Sequence, residues 1–243
     1  MHGIRVLQTK GIRFNVIMVL TLYALDYPDE IFHFLVDNRI ENVGFNIDEQ
    51  EGINKTSSYE AGNAVEKYKA FMQRFIRLAD ESHGVLTVRE LSQIVPMILY
   101  ADDRIRRPVS SANAPLQLLT FDHHGNYSTF CPELAGTRSI KYNNFVMGNI
   151  LTQPIEQIFD NPVFRLVNEE VQAGVKECEA TCQYWNLCGG GFPSNKYFEH
   201  GRFDVTETLM CRIHKQATVD VVLEYLRNKL HSPPIPEQKE NYG

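Results

Sequence analysis

Cysteine is absent from the first 130 residues of this chain, which carries five in all, an odd number bunched toward the C-terminal end. That distribution excludes the evenly stapled scaffold of a small secreted domain and points to a reducing, cytoplasmic setting. Positive charge is also short. Lys and Arg number 24 against 30 Asp and Glu, a net charge of -6 with no basic stripe, so nucleic acid is not an expected partner. Long apolar runs are missing too. Val16 to Leu25 follows Arg5, Lys10 and Arg13 in the order of a signal peptide. It is too short to span a bilayer, and it runs into Tyr27-Pro-Asp-Glu30 without a small-x-small cleavage site. No membrane partner is expected. Walker loops, dinucleotide fingerprints and nucleophile elbows are likewise absent. What is present is an ordinary globular composition, 43% apolar and 22% charged, in 243 residues. That length suffices for one large domain or two small ones with a real core.

The pattern along the chain is α/β. Gly3 to Gln8 reads as the end of a helix. Phe14 to Thr21 is a near-continuous Val, Ile and Leu run, as in a strand covered on both faces. Pro28 with Asp29 and Glu30 starts a helix whose apolar face is Ile31, Phe34 and Leu35. Val43 to Ile47 is a second strand, which makes a parallel βαβ unit. Ser57 with Glu60 reads as a capping box for a long helix with Val65, Tyr68, Met72, Phe75 and Ile76 inside. Thr87 with Glu90 reads as a second box, for a helix reaching Tyr100 and kinked at Pro96. A proline-rich linker at 106–115 follows, then a hairpin between Leu116 and Phe130 turning at His123-His124-Gly125-Asn126. Further helices are expected over Gln153–Gln172 and Arg212–Leu230. The tail 231–243, with its prolines, reads as disordered.

Four cysteines lie at Cys178-x3-Cys182-x5-Cys188-x22-Cys211. Structural zinc usually takes two knuckles of two to four spacer residues, and only the first pair fits. Three thiolates from one loop and a fourth returning later suit a [4Fe–4S] cluster, while zinc and plain free cysteines stay open. Gly189, Gly190 and Gly191 after Cys188 would let backbone amides approach cluster sulfides.

The stretch Cys178-x3-Cys182-x2-Trp185-x2-Cys188-Gly-Gly-Gly-Phe-Pro-Ser-Asn-Lys196, with Glu199-x-Gly201 and Glu207-Thr208-x2-Cys211, resembles the SPASM domain of radical S-adenosylmethionine enzymes. It is most similar to those that modify ribosomally made peptides, including maturases of glycine-rich-repeat precursors. Phe14 to Gly52, with Gly44-Phe-Asn-Ile-Asp-Glu-Gln-Glu-Gly52, is similar to the fifth and sixth strands of that family's partial barrel. The resemblance implies the C-terminal part of a partial (β/α) barrel at 1–105, then a small cysteine-rich α+β SPASM-type iron–sulfur domain at 116–230. It implies peptide modification by crosslink formation, with Cys178, Cys182, Cys188 and Cys211 as ligands of one auxiliary [4Fe–4S] cluster. It also implies contacts to S-adenosylmethionine or substrate from Asn46, Asp48 and Glu49, with Glu51 beside them. The expected partner is a ribosomally made precursor peptide.

Departures from the family pattern are as informative. The Cys-x3-Cys-x2-Cys loop that cleaves S-adenosylmethionine does not occur, so the chain alone is expected to be inactive. It would need a separate N-terminal radical S-adenosylmethionine chain or segment. Phe192 stands where the fuller pattern has a fifth cysteine, and no cysteine follows Gly148. A second auxiliary cluster therefore lacks ligands, and Cys131 is expected to be a lone thiol. Trp185 and Tyr184 are expected to shield the cluster; Asn195 and Lys196 to cover it or meet a peptide. His123 and His124 read as exposed turn residues. The alternatives are a non-catalytic iron–sulfur peptide-binding module, a structural zinc protein, and a poorly folding remnant with open strand edges.

Overall fold

The computed structural model describes residues 1–100 and 110–231. Helix α1 (His2–Thr9) leads to strand β1 (Val16–Leu20), helix α2 (Pro28–Asp37) and strand β2 (Asn42–Ile47). The strands pair in parallel, Val16 opposite Val43 and Leu20 opposite Ile47, as the βαβ spacing predicts. Pro28 sits in the first turn of α2, beside Asp29 and Glu30. Two details differ from expectation. Strand β1 is not covered on both faces, since Ile17 is 62% and Val19 59% exposed. It is an edge strand, and among the described residues only the alternate positions turned toward the helices meet a packed layer. On α2 the buried residues are Ile31, Phe32 and Leu35, while Phe34 is 48% exposed.

The Ser57–Glu60 capping box forms, but it caps a single 3-10 turn at Ser58–Glu60. Helix α3 (Ala64–Glu81) begins only after Gly62 and Asn63, and it buries Tyr68, Phe71, Met72, Phe75 and Ile76. The second expected box does not form. Thr87 and Val88 are strand β3 (Thr87–Val88), parallel to β2, and α4 (Arg89–Leu99) follows directly without a side-chain cap. Glu90 instead turns inward, 4% exposed, and accepts the Phe45 N–H at 3.0 Å. Backbone pairing with β2 wins over the local cap. Pro96 lies within α4, and the Tyr100 N–H still reaches the Pro96 carbonyl at 2.9 Å. Phe45 packs edge-on against Phe71 and Phe75, with ring centroids 5.4 and 4.8 Å away. These rings lie at the centre of contact between β2 and α3 in the first core.

The second core gathers around an antiparallel sheet of β4 (Leu119–Phe121), β5 (Asn126–Thr129) and β6 (Gly148–Asn149). The hairpin turns at His123–Asn126 as expected, with Asp122 Oδ1 accepting the His124 and Asn126 N–H groups. Helix α5 (Pro162–Thr181) starts later and runs further than the expected Gln153–Gln172. Asn161 caps it through Val163 and Phe164, and Pro162 fixes its first turn. Tyr142, Phe145, Tyr197 and Phe203 form one ring cluster against this helix. Helices α6 (Trp185–Cys188) and α7 (Pro193–His200) follow. The last helix arrives as a π-helical segment, Cys211–Ala217, continued by α8 (Thr218–His231). Met210, Ile213, Ala217 and Val221 pack into the first core, so the end of the described chain returns to the parallel sheet. Tyr68 and Thr218 hydroxyls meet at 3.1 Å across that contact. No described helix is long and apolar enough to cross a membrane. Residues 101–109 of the barrel segment and linker, and the tail from 232, lie outside the described residues.

Candidate metal centre and adjoining cavity

Each of the four clustered cysteines is placed by a helix end. Cys178 lies in the last turn of α5, and Cys182 ends it with an extended backbone, its N–H donating to the Cys178 carbonyl at 2.9 Å. A spacing of four puts both on one side of the chain as it leaves the helix. Cys188 closes α6, and Gly189, Gly190 and Gly191 follow with φ of 69°, 99° and 73°. Three successive left-handed residues turn the backbone sharply, a path that glycine takes without strain. Cys211 opens the π-helical segment, its N–H held by Thr208 Oγ1 at 2.9 Å. Such segments recur at functional sites. All four cysteines line one cavity of about 380 Å³. A single water needs only ~10–15 Å³ by the same measure.

Around this cavity the supports are polar and buried. Asn113, in a 3-10 turn at Ser111–Asn113, donates from Nδ2 to the Gly189 and Gly191 carbonyls at 2.9 and 3.0 Å. Its own carbonyl accepts from Gln172 at 2.8 Å, which ties the glycine run to α5. Lys196 of α7 is 2% exposed, with Nζ 3.9 Å from Cys178 Sγ. Burial raises the Cys178 thiol and pushes Cys211 up to about 11. Both are therefore protonated thiols at neutral pH until a metal replaces the proton. Tyr184 and Trp185 stand half-buried at the wall, and the Tyr184 hydroxyl donates to Asp220 at 2.7 Å.

Among the described residues, no three His, Cys, Asp or Glu side chains are gathered tightly enough to hold one metal ion. Four thiolates on a single zinc would lie about 3.8 Å apart, given tetrahedral bonds of 2.3 Å. A cubane, whose thiolates each bind a separate iron, spreads its ligands more widely. The all-thiol donor set is the one such a cluster takes.

A second cavity, of about 480 Å³, adjoins the first, and Cys188 and Tyr184 line both. It opens at the C-terminal end of β2, where Asn46, Glu49 and Glu51 face Glu133 and Cys131. Glu49 accepts from Asn195 Nδ2 at 2.6 Å, and Asn46 Oδ1 from Arg89 at 3.1 Å. Burial raises both glutamates, Glu51 to about 8 with Glu133 and Glu49 adding repulsion. Asp48 does not line this cavity. Its carboxylate accepts from Asn54 and from the Ser58 N–H at 2.9 Å each, which ties the loop together. Cys131 lies apart from the other four, buried in the second core, its thiol pushed up to about 12 by desolvation. His123 and His124 are exposed on the hairpin turn and line neither cavity.

Three participants carried no clear sequence signal. Asn113 lies in a stretch that reads as linker. Glu90 mimics a capping residue. His214, with Nε2 2.9 Å from the Phe45 carbonyl, is pushed down to about 3 by burial, so it is a neutral strut between the last helix and β2.

No family model matches the chain. The uncharacterized protein sll1766 of Synechocystis sp. is 41% identical over 230 residues, which cover 95% of this chain and 57% of that protein. Among solved structures, native anSMEcpe with bound AdoMet superposes with a TM-score of 0.65 at 13% identity, over 96% of this chain and 60% of anSMEcpe. Its complex with AdoMet and Cp18Cys peptide superposes at 0.65 and 13%, over 94% and 60%. The chain thus shares the α/β fold of anSMEcpe, and it spans less than two thirds of these relatives.

Proposed function

We propose that this chain is the auxiliary-cluster portion of a radical S-adenosylmethionine peptide-modifying oxidoreductase of the SPASM type. Cys178, Cys182, Cys188 and Cys211 would hold one [4Fe–4S] cluster. One observation carries this reading: four cysteines from the end of α5, the end of α6 and the start of the π-helical segment line a single cavity. Bound there, a cluster supplies one-electron chemistry. The chain's own residues do the rest. Asn113 fixes the glycine run so that its backbone stays at the cavity wall, and Tyr184 and Trp185 limit water at the sulfurs.

The larger cavity, which shares Cys188 with the first, is the proposed seat of a segment of a ribosomally made precursor peptide. Asn46 and Glu49 are the proposed contacts to peptide or S-adenosylmethionine. Asp48 acts from behind them by ordering the loop. Crosslink formation is the proposed outcome. Cleavage of S-adenosylmethionine falls to a Cys-x3-Cys-x2-Cys segment, a motif this sequence does not contain, so the chain alone would be inactive. Strand β1 supports such a partnership: among the described residues it pairs on one side only, which leaves its other edge for a further strand, and Ile17 and Val19 expose an apolar sheet face. Free thiols throughout suit a cytoplasmic, reducing setting.

The test is iron, sulfide and zinc content per chain after anaerobic reconstitution, beside Cys188→Ala. About four irons and four sulfides, much reduced in the variant, are expected. Roughly one zinc without sulfide would replace the cluster by a structural metal site.

A further inference from the structure

We infer that Lys196 is a fixed cationic donor to the Cys178 sulfur and raises the midpoint potential of the cluster bound there. The inference rests on the four-cysteine ligand set proposed above. Lysine is almost never fully buried unless paired, yet Lys196 is 2% exposed. Among the described residues the partner seen for its Nζ is Cys178 Sγ, at 3.9 Å. Cys188 and Cys211 also lie within its electrostatic reach. Desolvation disfavours the charge on Lys196 and the sulfurs of Cys178, Cys188 and Cys211 favour it, so an ammonium held here calls for an anionic occupant of the cavity. Four thiolates on an iron–sulfur core provide one, since their summed charge is negative.

The backbone is shaped to admit this cation. Gly174 of α5 lies beneath it: a Cβ at that position would sit 2.9 Å from Lys196 Nζ and 3.0 Å from the Val205 carbonyl oxygen. The missing methyl leaves the channel through which the lysine passes between α5 and the 203–205 loop. Pro193, Ser194 and Asn195 are buried with it in the first turn of α7. Reduction adds one negative charge to the cluster, so a cation held at a ligating sulfur stabilises the reduced form more than the oxidised one. A lysine that merely filled space would leave that balance unchanged.

The experiment is an electron-paramagnetic-resonance redox titration of the reconstituted full chain, compared with Lys196→Met and Lys196→Arg. Lys196→Met keeps the stem and removes the charge. It is expected to retain iron and sulfide and to lower the reduced-to-oxidised ratio at fixed potential about tenfold, which is 59 mV for one electron. Lys196→Arg is expected to keep most of the wild-type potential. Full cluster with an unmoved potential in Lys196→Met overturns the inference and leaves the ligand set standing. If Lys196→Met fails to assemble, Lys196→Gln takes its place: a smaller downward shift supports the role, and none overturns it. A wild-type chain that takes up no iron and sulfide overturns the ligand set, and the role of Lys196 with it.

Discussion

Gly174 offers the sharpest test of the packing beneath the four cysteines, because two opposing effects meet at one methyl group. In the middle of α5, replacing glycine by alanine should gain about 1 kcal/mol of helix propensity. The structure opposes this. The new Cβ would fall inside the closest approach of the Phe203 carbonyl oxygen, and 3.0 Å from that of Val205. Both are backbone atoms and cannot swing aside, whereas Lys196 Nζ, at 2.9 Å, is the end of a flexible chain. Overpacking of this kind costs roughly 1–3 kcal/mol, and pushing away a loop that also carries Phe203 of the ring cluster belongs at the upper end. The net expectation for Gly174→Ala is a loss of about 1–2 kcal/mol. For a chain of this length that is ~2–8 °C in melting temperature. Thermal unfolding followed by circular dichroism measures it, with Gly3→Ala in α1, where nothing lies within 4 Å and only the gain in helix propensity remains, as the control. A Gly174→Ala chain as stable as wild type, or more so, would refute the close approach.

Asn113→Ala removes one buried and one part-buried hydrogen bond and leaves the Gly189 and Gly191 carbonyls without that donor. A loss of about 2–3 kcal/mol in chemical denaturation is expected, together with lower iron retention; unchanged values on both counts would remove Asn113 from the site. Glu51 gives a pH signature. Its carboxyl titrates near 8 when folded, against 4.5 for the unperturbed group, so between those values the folded chain keeps a proton that the unfolded chain has lost. Stability from this residue is complete below about 4.5 and falls as pH rises toward 8. The slope is below ~1.4 kcal/mol per pH unit because the group is partly solvated. Glu51→Gln should flatten that slope and melt higher than wild type at pH 8. An identical pH profile in the two proteins would show that Glu51 is not held neutral.

The parallel βαβ unit and the hairpin were legible in the sequence because each rests on local chemistry. Apolar runs set the strands, Pro28 the helix start, and glycine with Asp122 the turn. What escaped the sequence depends on long-range contacts. Thr87 and Glu90 carry the spacing of a cap, yet β2 offers Thr87 a strand partner and Glu90 the Phe45 amide, and pairing outweighs one cap. Phe34 and Phe32 differ by two positions on the same helix, and only the packing against Phe75 decides which is buried. Asp48 and Glu49 are adjacent acids with opposite fates, one knotted into its own loop and one facing a cavity. Asn113 gave no signal because its partners are carbonyls, which every residue possesses.

The cysteines are divided between the two cores, and this bears on how the site assembles. Cys178 is carried by α5, whose Phe164, Val167 and Val171 lie in the second core; Cys211 opens a segment whose Ile213 and Ala217 lie in the first. A group bound by both therefore crosslinks the two cores, and its binding energy adds to the stability of their contact. The same residues set the direction of the pH effect on assembly. Cys178 is raised and Cys211 stands near 11, so each thiol must release a proton to become a ligand. Assembly then grows more favourable as pH rises toward those values, by up to ~1.4 kcal/mol per pH unit for each proton released. The buried Lys196 ammonium offsets part of this cost, because it favours thiolate at the nearest sulfur before any iron is bound. On the proposed ligand set, rigidity between the halves, metal uptake and pH are thus linked through two cysteines that sit on different cores.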